Sequence, residues 1–310
     1  MIAEIEKPTT GVKISKDENG KITIEGKGEN GITVRHSELI ANINNAINKN
    51  LQTAEIPFDE QKAPVEISED LQKLGIKNLI GTGHTSFIGS HTGRVHNINT
   101  GIVKYNGLLI KPGEVFSFNE YLGPVDAEHG YLPEKVIKEN KVAQEYGGGL
   151  CQVSSTVYRA ALLAGLEIVE RAPHSWRVNY YEQVLGPGLD ATIYPGSHDF
   201  RFKNDTPGYL VMQSYIVGQH AYFKLYGTDD GRKATLEGPV GKGLSFKWYR
   251  NLEKQGKVEK QTIVSNYRPM PNPNDPPKPE NTPLNFSDPG EVPNTLTPNN
   301  PANTAATPTS

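Results

Sequence analysis

Cysteine is almost absent from this chain, with one residue, Cys151, in 310. That excludes an internal disulfide framework and any zinc site built from several cysteines, and leaves either a small packing residue or a reactive thiol. Long apolar runs are missing as well. The longest, around Ala160–Leu166, falls far short of the roughly 20 residues that a membrane-spanning helix needs. Neither sign of charge dominates: 32 Lys and Arg against 35 Asp and Glu give a net charge of -3, so no strongly basic nucleic-acid surface is implied. The opening MIAEIEKPTTG lacks a charged segment followed by an apolar one. It therefore shows no signal peptide, and it leaves room for an anchor or signal upstream.

What the chain holds in quantity is glycine, 31 residues, and proline, 23, beside 35% hydrophobic residues, the composition of a loop-rich chain of one or two domains. Three pieces are expected. In residues 1–72, the segments Val12–Ser15 and Lys21–Glu25 flank an Asn19-Gly20 turn and predict a hairpin. Leu39, Ile40, Ile43, Ala46, Ile47 and Leu51 then recur at helical spacing, with Ser37 expected as the N-cap. Residues 78–267 are dense in strand and turn signals, and end in a predicted hairpin over Ser245–Tyr267 around Gln255-Gly256. Residues 268–310 hold more than half of the prolines among Asn, Thr and Ser, and are expected to be a disordered tail. The fold class expected is α+β: a mostly antiparallel sheet with one main helix, plus a small N-terminal α+β module.

That helix carries the cysteine. In EYGGGLCQVSSTVYRAALLAGLEIVE, Gly147, Gly148 and Gly149 form a turn and Val153, Val157, Ala160, Ala161 and Ala164 share a helical face. Gly165 stops the helix before a strand over Leu166–Val169. A cysteine in the first turn lies near unpaired N–H groups and the positive end of the helix dipole, which favour thiolate over thiol. The backbone around Gly149 and Gln152 offers candidate donors to an oxyanion. The plain alternative is a packing cysteine. The three glycines and the polar successors Gln152, Ser154, Ser155 and Thr156 weigh against it, since a purely structural helix start needs neither.

A cysteine nucleophile works with a histidine and a group that orients it. His174, in ERAPHSWRVNYY, follows the strand that leaves the cysteine helix and is the first choice as base. Asp190 is the expected orienter, with Asp199 as a second candidate. Arg177 and Arg201 are candidates to hold a substrate carboxylate, with Ser154 and Ser175 beside them. His84, His91 and His96 cluster in sequence, but their spacings match no standard zinc pattern and carboxylates are missing locally, so no metal and no other cofactor is expected. Asp205-Thr206-Pro207-Gly208 reads as a turn.

Over about Leu79–Tyr226 the text resembles the VanW domain family. The resemblance rests on KPGEVFSFNEYLGP (Lys111–Pro124), GYLPEKVI (Gly130–Ile137), YGGGLCQVSSTVYRAALLAGLEIVER (Tyr146–Arg171), PHSWRVNYY (Pro173–Tyr181), GLDATIY (Gly188–Tyr194) and DFRFKNDT (Asp199–Thr206). Residues 1–72 resemble the end of a peptidoglycan-binding type of module that often precedes such domains in exported bacterial proteins. The resemblance implies a place outside the membrane, at the bacterial cell wall or surface, with peptidoglycan stem peptides as partners. Some family members are regarded as L,D-transpeptidases. For this chain the resemblance implies that Cys151 attacks a stem tetrapeptide, forms a thioester and passes it to an amine as a 3-3 cross-link, with His174 moving the proton. A carboxypeptidase or endopeptidase using the same thioester, and a non-catalytic wall-binding or glycopeptide-resistance accessory protein, stay open as alternatives. Between Pro124 and Gly130 the text, Val125-Asp126-Ala127-Glu128-His129, departs from the family's commoner pattern, which bears on substrate contacts.

Overall fold

The computed structural model describes residues 5–138 and 141–270. The expected tail, apart from its first three residues, lies outside the described residues. In chain order, β1 (Thr10–Lys16), β2 (Ile22–Glu29) and β3 (Gly31–Val34) lead into α1 (His36–Asn48), then β4 (Phe58–Gln61), β5 (Val65–Ile67) and α2 (Glu69–Lys73). Next come β6 (Asn78–Ser86), α3 (Thr92–Ile102), β7 (Leu108–Ile110), β8 (Val115–Ser117) and α4 (Phe118–Leu122). The hairpin β9 (Pro133–Lys138) and β10 (Lys141–Tyr146) runs into α5 (Leu150–Leu163), β11 (Glu167–Glu170) and α6 (Asn179–Leu185). The last strands are β12 (Arg201–Lys203), β13 (Leu210–Val217), β14 (His220–Gly227), β15 (Lys233–Lys242), β16 (Ser245–Lys254) and β17 (Lys257–Asn266).

The architecture is α+β with mostly antiparallel pairing, as the density of short strands predicted; β1 and β5 pair in parallel. At the centre is a four-stranded antiparallel sheet in the order β6-β14-β13-β7. Its inner face presents Leu210, Met212, Ala221, Phe223 and Leu225, all fully buried. Each large apolar side chain so buried contributes about 1.5–3 kcal/mol relative to exposure.

Helix α5 lies against this face. The approach is so close that a Cβ on Gly83 of β6 would sit 2.0 Å from the Thr156 carbonyl oxygen and 2.6 Å from the Ala160 nitrogen, a space only glycine leaves open. The sequence predicted one apolar face for this helix. The structure buries it nearly all round, and the polar groups so buried are hydrogen-bonded, as burial requires. Thr156 bonds Thr85 at 2.7 Å, and Arg159 donates to the carbonyls of Leu189 and His84, each at 3.0 Å, and of Tyr181.

The outer face of the same sheet is covered by the N-terminal strands. Val12, Ile14 and Ile22 pack with Leu71, Ile76, Val211 and Tyr226, while Lys224 reaches the Lys27 carbonyl at 2.9 Å and Gln213 the Gly26 carbonyl at 2.9 Å. The Asn19-Gly20 and Gln255-Gly256 hairpins both form. Helix α1 differs from expectation in two ways. It starts at His36 with Arg35 as N-cap, two residues ahead of the expected cap Ser37, and of its apolar residues only Leu39 and Ala46 are buried. Ile40 and Ile47 stay 61% and 66% exposed, so little of the helix's apolar face is covered.

On the other side of α5, the antiparallel sheet β15-β16-β17 packs over the loop that precedes Asp190. Trp248 donates its Nε1 to the Pro187 carbonyl at 2.7 Å and Ser265 its hydroxyl to the Gly188 carbonyl at 2.8 Å. Among the described residues no helix is long and apolar enough to cross a membrane.

Candidate functional site

Cys151 is the second residue of α5. Gly149 caps the helix with φ of 116°, a conformation that a side chain resists, and a Cβ there would crowd Arg94 at 3.0 Å. The glycine turn thus lets the chain reverse from β10 into a buried helix without a gap. The Cys151 sulfur, half-buried, lies 3.8 Å from the Thr192 hydroxyl and 3.6 Å from the Ile193 carbonyl oxygen, and interacts electrostatically with the His174 ring.

His174 is buried. Its backbone N–H and its ring Nδ1–H both donate to Asp190 Oδ2, at 2.7 and 2.6 Å, so Nε2 is the nitrogen turned to the thiol. The ring also rests against Tyr181, centroids 4.9 Å apart. The other oxygen of Asp190 accepts the Tyr267 hydroxyl at 2.6 Å and Arg171 Nη2 at 3.3 Å. Arg171 in turn donates to the carbonyls of Asp190 (2.6 Å) and Gly188 (3.1 Å) and to the Ser265 hydroxyl (2.7 Å).

These contacts set the charges. Burial alone would push the Cys151 thiol up, but the His174 charge and the hydrogen bonds from His174, Ile193 and Thr192 outweigh it and hold the thiol below its ordinary value. Burial would likewise push His174 down. The Cys151 and Asp190 charges and hydrogen bonds win, and His174 is pushed up to about 9. Asp190, against its burial, is held well below the usual carboxylate range by His174 and Arg171. Burial and the Asp190 charge keep the Tyr267 phenol protonated, so it acts as a donor. The arrangement favours a thiolate–imidazolium pair backed by a carboxylate, two protons shared among coupled groups.

The remaining predicted residues lie elsewhere or are occupied. The Gln152 N–H donates to the Gly149 carbonyl at 2.9 Å, and its side chain is buried between Arg94 (2.8 Å) and the Ser86 carbonyl (3.1 Å), which removes that amide as a ready oxyanion donor. Ser154 is buried and donates to the Ala191 carbonyl at 2.5 Å, bracing the segment that passes the sulfur. Ser175 is half-buried, and its carbonyl accepts the Arg268 N–H at 2.7 Å. Arg177 is taken by Glu182 at 2.8 and 2.6 Å, and Arg201 lies on β12, 3.9 Å from Glu170.

Asp199 does not reach His174. It accepts the Ser117 hydroxyl at 2.6 Å and the Asn119 N–H at 3.0 Å. The turn residue Asp205 pairs with Arg232 at 2.7 Å and Lys254 at 3.1 Å. His84 bonds His220 at 2.9 Å, His91 caps α3 and His96 bonds the Gly130 carbonyl, three separate places. Among the described residues no group of three or more His, Cys, Asp or Glu side chains could hold a metal ion.

Arg171, Tyr181, Thr192 and Tyr267 were not singled out from sequence. Arg171 stands three residues before His174 in the segment that carries it, a signal that was there to use. Tyr267 carried none, because its hydroxyl arrives from just past the end of β17, 77 residues beyond Asp190.

Fold and site together define an α+β domain in which a helix-start cysteine, a histidine and a buried aspartate converge. Residues 93–226, less than half of the chain, match a family model described as VanW like protein. Among curated proteins the chain is 35% identical over 162 residues to the uncharacterized protein YoaR of Bacillus subtilis, covering 52% of each chain. It is 34% identical over 116 residues to the vancomycin B-type resistance protein VanW of Enterococcus faecalis, covering 36% of this chain and 42% of that one. The chain thus spans about half the length of the curated relatives it matches. No solved structure matches it.

Proposed function

We propose that this protein is a cysteine-dependent acyl transferase acting on peptidoglycan stem peptides at the bacterial cell wall, of the L,D-transpeptidase type. The observation that supports it most directly is the chain of contacts from Cys151 through the His174 ring to Asp190 Oδ2. The name of the Enterococcus relative, a vancomycin resistance protein, supports a cell-wall setting.

In the proposed reaction the Cys151 thiolate attacks the carbonyl carbon of the donor peptide. The tetrahedral oxyanion collapses, the C–N bond breaks, and the leaving amine takes the proton of the His174 imidazolium. A thioester remains. An acceptor amine then attacks it, gives a proton to His174 and expels the thiolate, which restores the ion pair. Asp190 holds the ring with Nε2 toward the sulfur and stabilises its positive charge in each half-reaction. With Gln152 N–H engaged, the N–H of Cys151 itself, in the first turn of α5, is the proposed oxyanion donor.

Water competes for the same thioester, which makes a carboxypeptidase or endopeptidase outcome the alternative for the second half. The experiment is to incubate the protein with stem tetrapeptides and analyse products by mass spectrometry. Release of the terminal residue with 3-3 dimers supports transfer, release with tripeptides alone supports hydrolysis, and turnover that survives Cys151→Ala rules out both. No turnover of any stem peptide leaves the accessory role.

A further inference from the structure

Most arginines of this structure are spoken for. Among the described residues, Arg35, Arg171, Arg177, Arg201 and Arg232 each face a carboxylate. Arg159 spends its donors on three backbone carbonyls, and Arg250 donates to the Leu166 carbonyl and the Gln261 side chain.

Arg94, on α3, is different. It is only 8% exposed and, like Arg159 and Arg250, it has neutral polar partners, but these are side chains rather than mostly backbone carbonyls and they border the cysteine helix: the Ser90 hydroxyl at 2.7 Å, the Gln152 side-chain oxygen at 2.8 Å and the Tyr181 hydroxyl, with the Tyr180 ring 4.2 Å beneath the guanidinium. A buried cation without a counter-charge is costly, and an arriving anion would relieve that cost. Its position is also particular. Gln152 follows Cys151 directly, and Tyr181 touches Arg94 on one side and the His174 ring on the other. The charge therefore borders the Gly149 cap of the cysteine helix and reaches the thiol's partner His174 through Tyr181.

We infer that Arg94 is the receptor for a carboxylate of the acyl donor, so that the site selects donors with a free carboxylate near the scissile carbonyl over neutral or internal peptide bonds. This rests on the reading of Cys151 as the nucleophile. A guanidinium with Nη groups anchored by Ser90 and Gln152 is pre-oriented, and so loses little on binding a planar carboxylate. Arg177 and Arg201, the candidates named from sequence for holding a substrate carboxylate, are matched to Glu182 and Glu170 instead.

The test uses two alkylating reagents of nearly equal size, iodoacetate, which carries a carboxylate, and iodoacetamide, which does not. Second-order rates at Cys151 are measured for the wild type, Arg94→Gln, Arg94→Lys and, as a control, Arg201→Gln. The iodoacetate-to-iodoacetamide ratio should fall about tenfold in Arg94→Gln, the scale on which a focused charge changes encounter with an anion. It should recover in part in Arg94→Lys and hold in Arg201→Gln, with the iodoacetamide rate unchanged throughout. A ratio unchanged in Arg94→Gln overturns the inference. So does a parallel fall of both rates with a lowered unfolding temperature, which would make Arg94 a prop for the helix. If the native wild type reacts with neither reagent, the nucleophile reading itself fails, and this one with it. For the peptide reaction, the wild type should prefer a tetrapeptide over its C-terminal amide in kcat/KM, and Arg94→Gln should lose that preference.

Discussion

His174 is bound twice to one atom: its backbone N–H at 2.7 Å and its ring Nδ1 at 2.6 Å both end on Asp190 Oδ2. The paired bonds fix the ring relative to its own main chain, leaving Nε2 one direction to face. The sulfur that it faces is held by a separate helix, so the geometry of the pair depends on how α5 and the Asp190 loop are held together.

The first prediction concerns the thiol. Iodoacetamide should alkylate wild-type Cys151 with a pH onset below the free-cysteine value of about 8.5, since His174 outweighs burial. In His174→Gln only the Ile193 and Thr192 hydrogen bonds still oppose burial and the onset should move up, slowing the reaction at pH 7 by about tenfold. Equal pH profiles for the two proteins would contradict the ion pair.

A second concerns stability against pH. Asp190 has its pKa lowered from 3.8, so its contribution is present above that value and is lost as pH falls through the folded value. His174 is raised from 6.5 to about 9, so its contribution is full below 6.5 and lost as pH rises through about 9. The thermal midpoint should therefore drop on both sides of a plateau, and Asp190→Asn should flatten the acid side. An acid limb as steep in Asp190→Asn as in the wild type would place its origin elsewhere.

Tyr267→Phe should have a graded effect. It removes one of the donors to Asp190 Oδ1 and leaves Arg171, which should cost about 1 kcal/mol of stability by chemical denaturation. With Asp190 less firmly held, the alkylation onset should lie between those of the wild type and Asp190→Asn. A Tyr267→Phe profile superimposed on the wild type would show that the hydroxyl does not help to position the carboxylate.

Gly83→Ala tests the seating of the helix. The new methyl would lie 2.0 Å from a backbone oxygen of α5, and neither β6 nor α5 has a flexible side chain there to yield. A loss of about 3 kcal/mol or more is expected, at the upper end for overpacking. A change below about 1 kcal/mol by thermal unfolding would mean that the helix can shift without cost.

Local features were legible in the sequence because they are written within a few residues. The Asn19-Gly20 and Gln255-Gly256 turns, the glycine stop at Gly165 and the α5 span follow from backbone preferences that each residue carries with it. Cys151 and His174 could be named from stretches with their own chemical signal, whereas Asp190 was one of two candidate orienters beside Asp199, and the structure places Asp190 against His174. Contacts between distant stretches were not legible. Nothing near Glu182 or Glu170 announces that they would claim Arg177 and Arg201, and no periodicity shows that β15–β17 would bring Ser265 and Tyr267 to the Asp190 loop. The apolar spacing of α1 predicted a buried face, but spacing reports what a helix could bury and not how much neighbouring surface exists to cover it.

The all-round burial of α5 has a consequence for how this protein would wear out. A nucleophile on a loop can be exposed or misdirected by a local fluctuation that leaves the rest of the molecule intact. Here the residues around Cys151 are packed between the central sheet and the segments leading to β15–β17, so amide exchange along α5 should be among the slowest in the chain. Ageing, heat or denaturant would then leave the thiol's reactivity nearly constant up to the cooperative transition and abolish it there, in a single step.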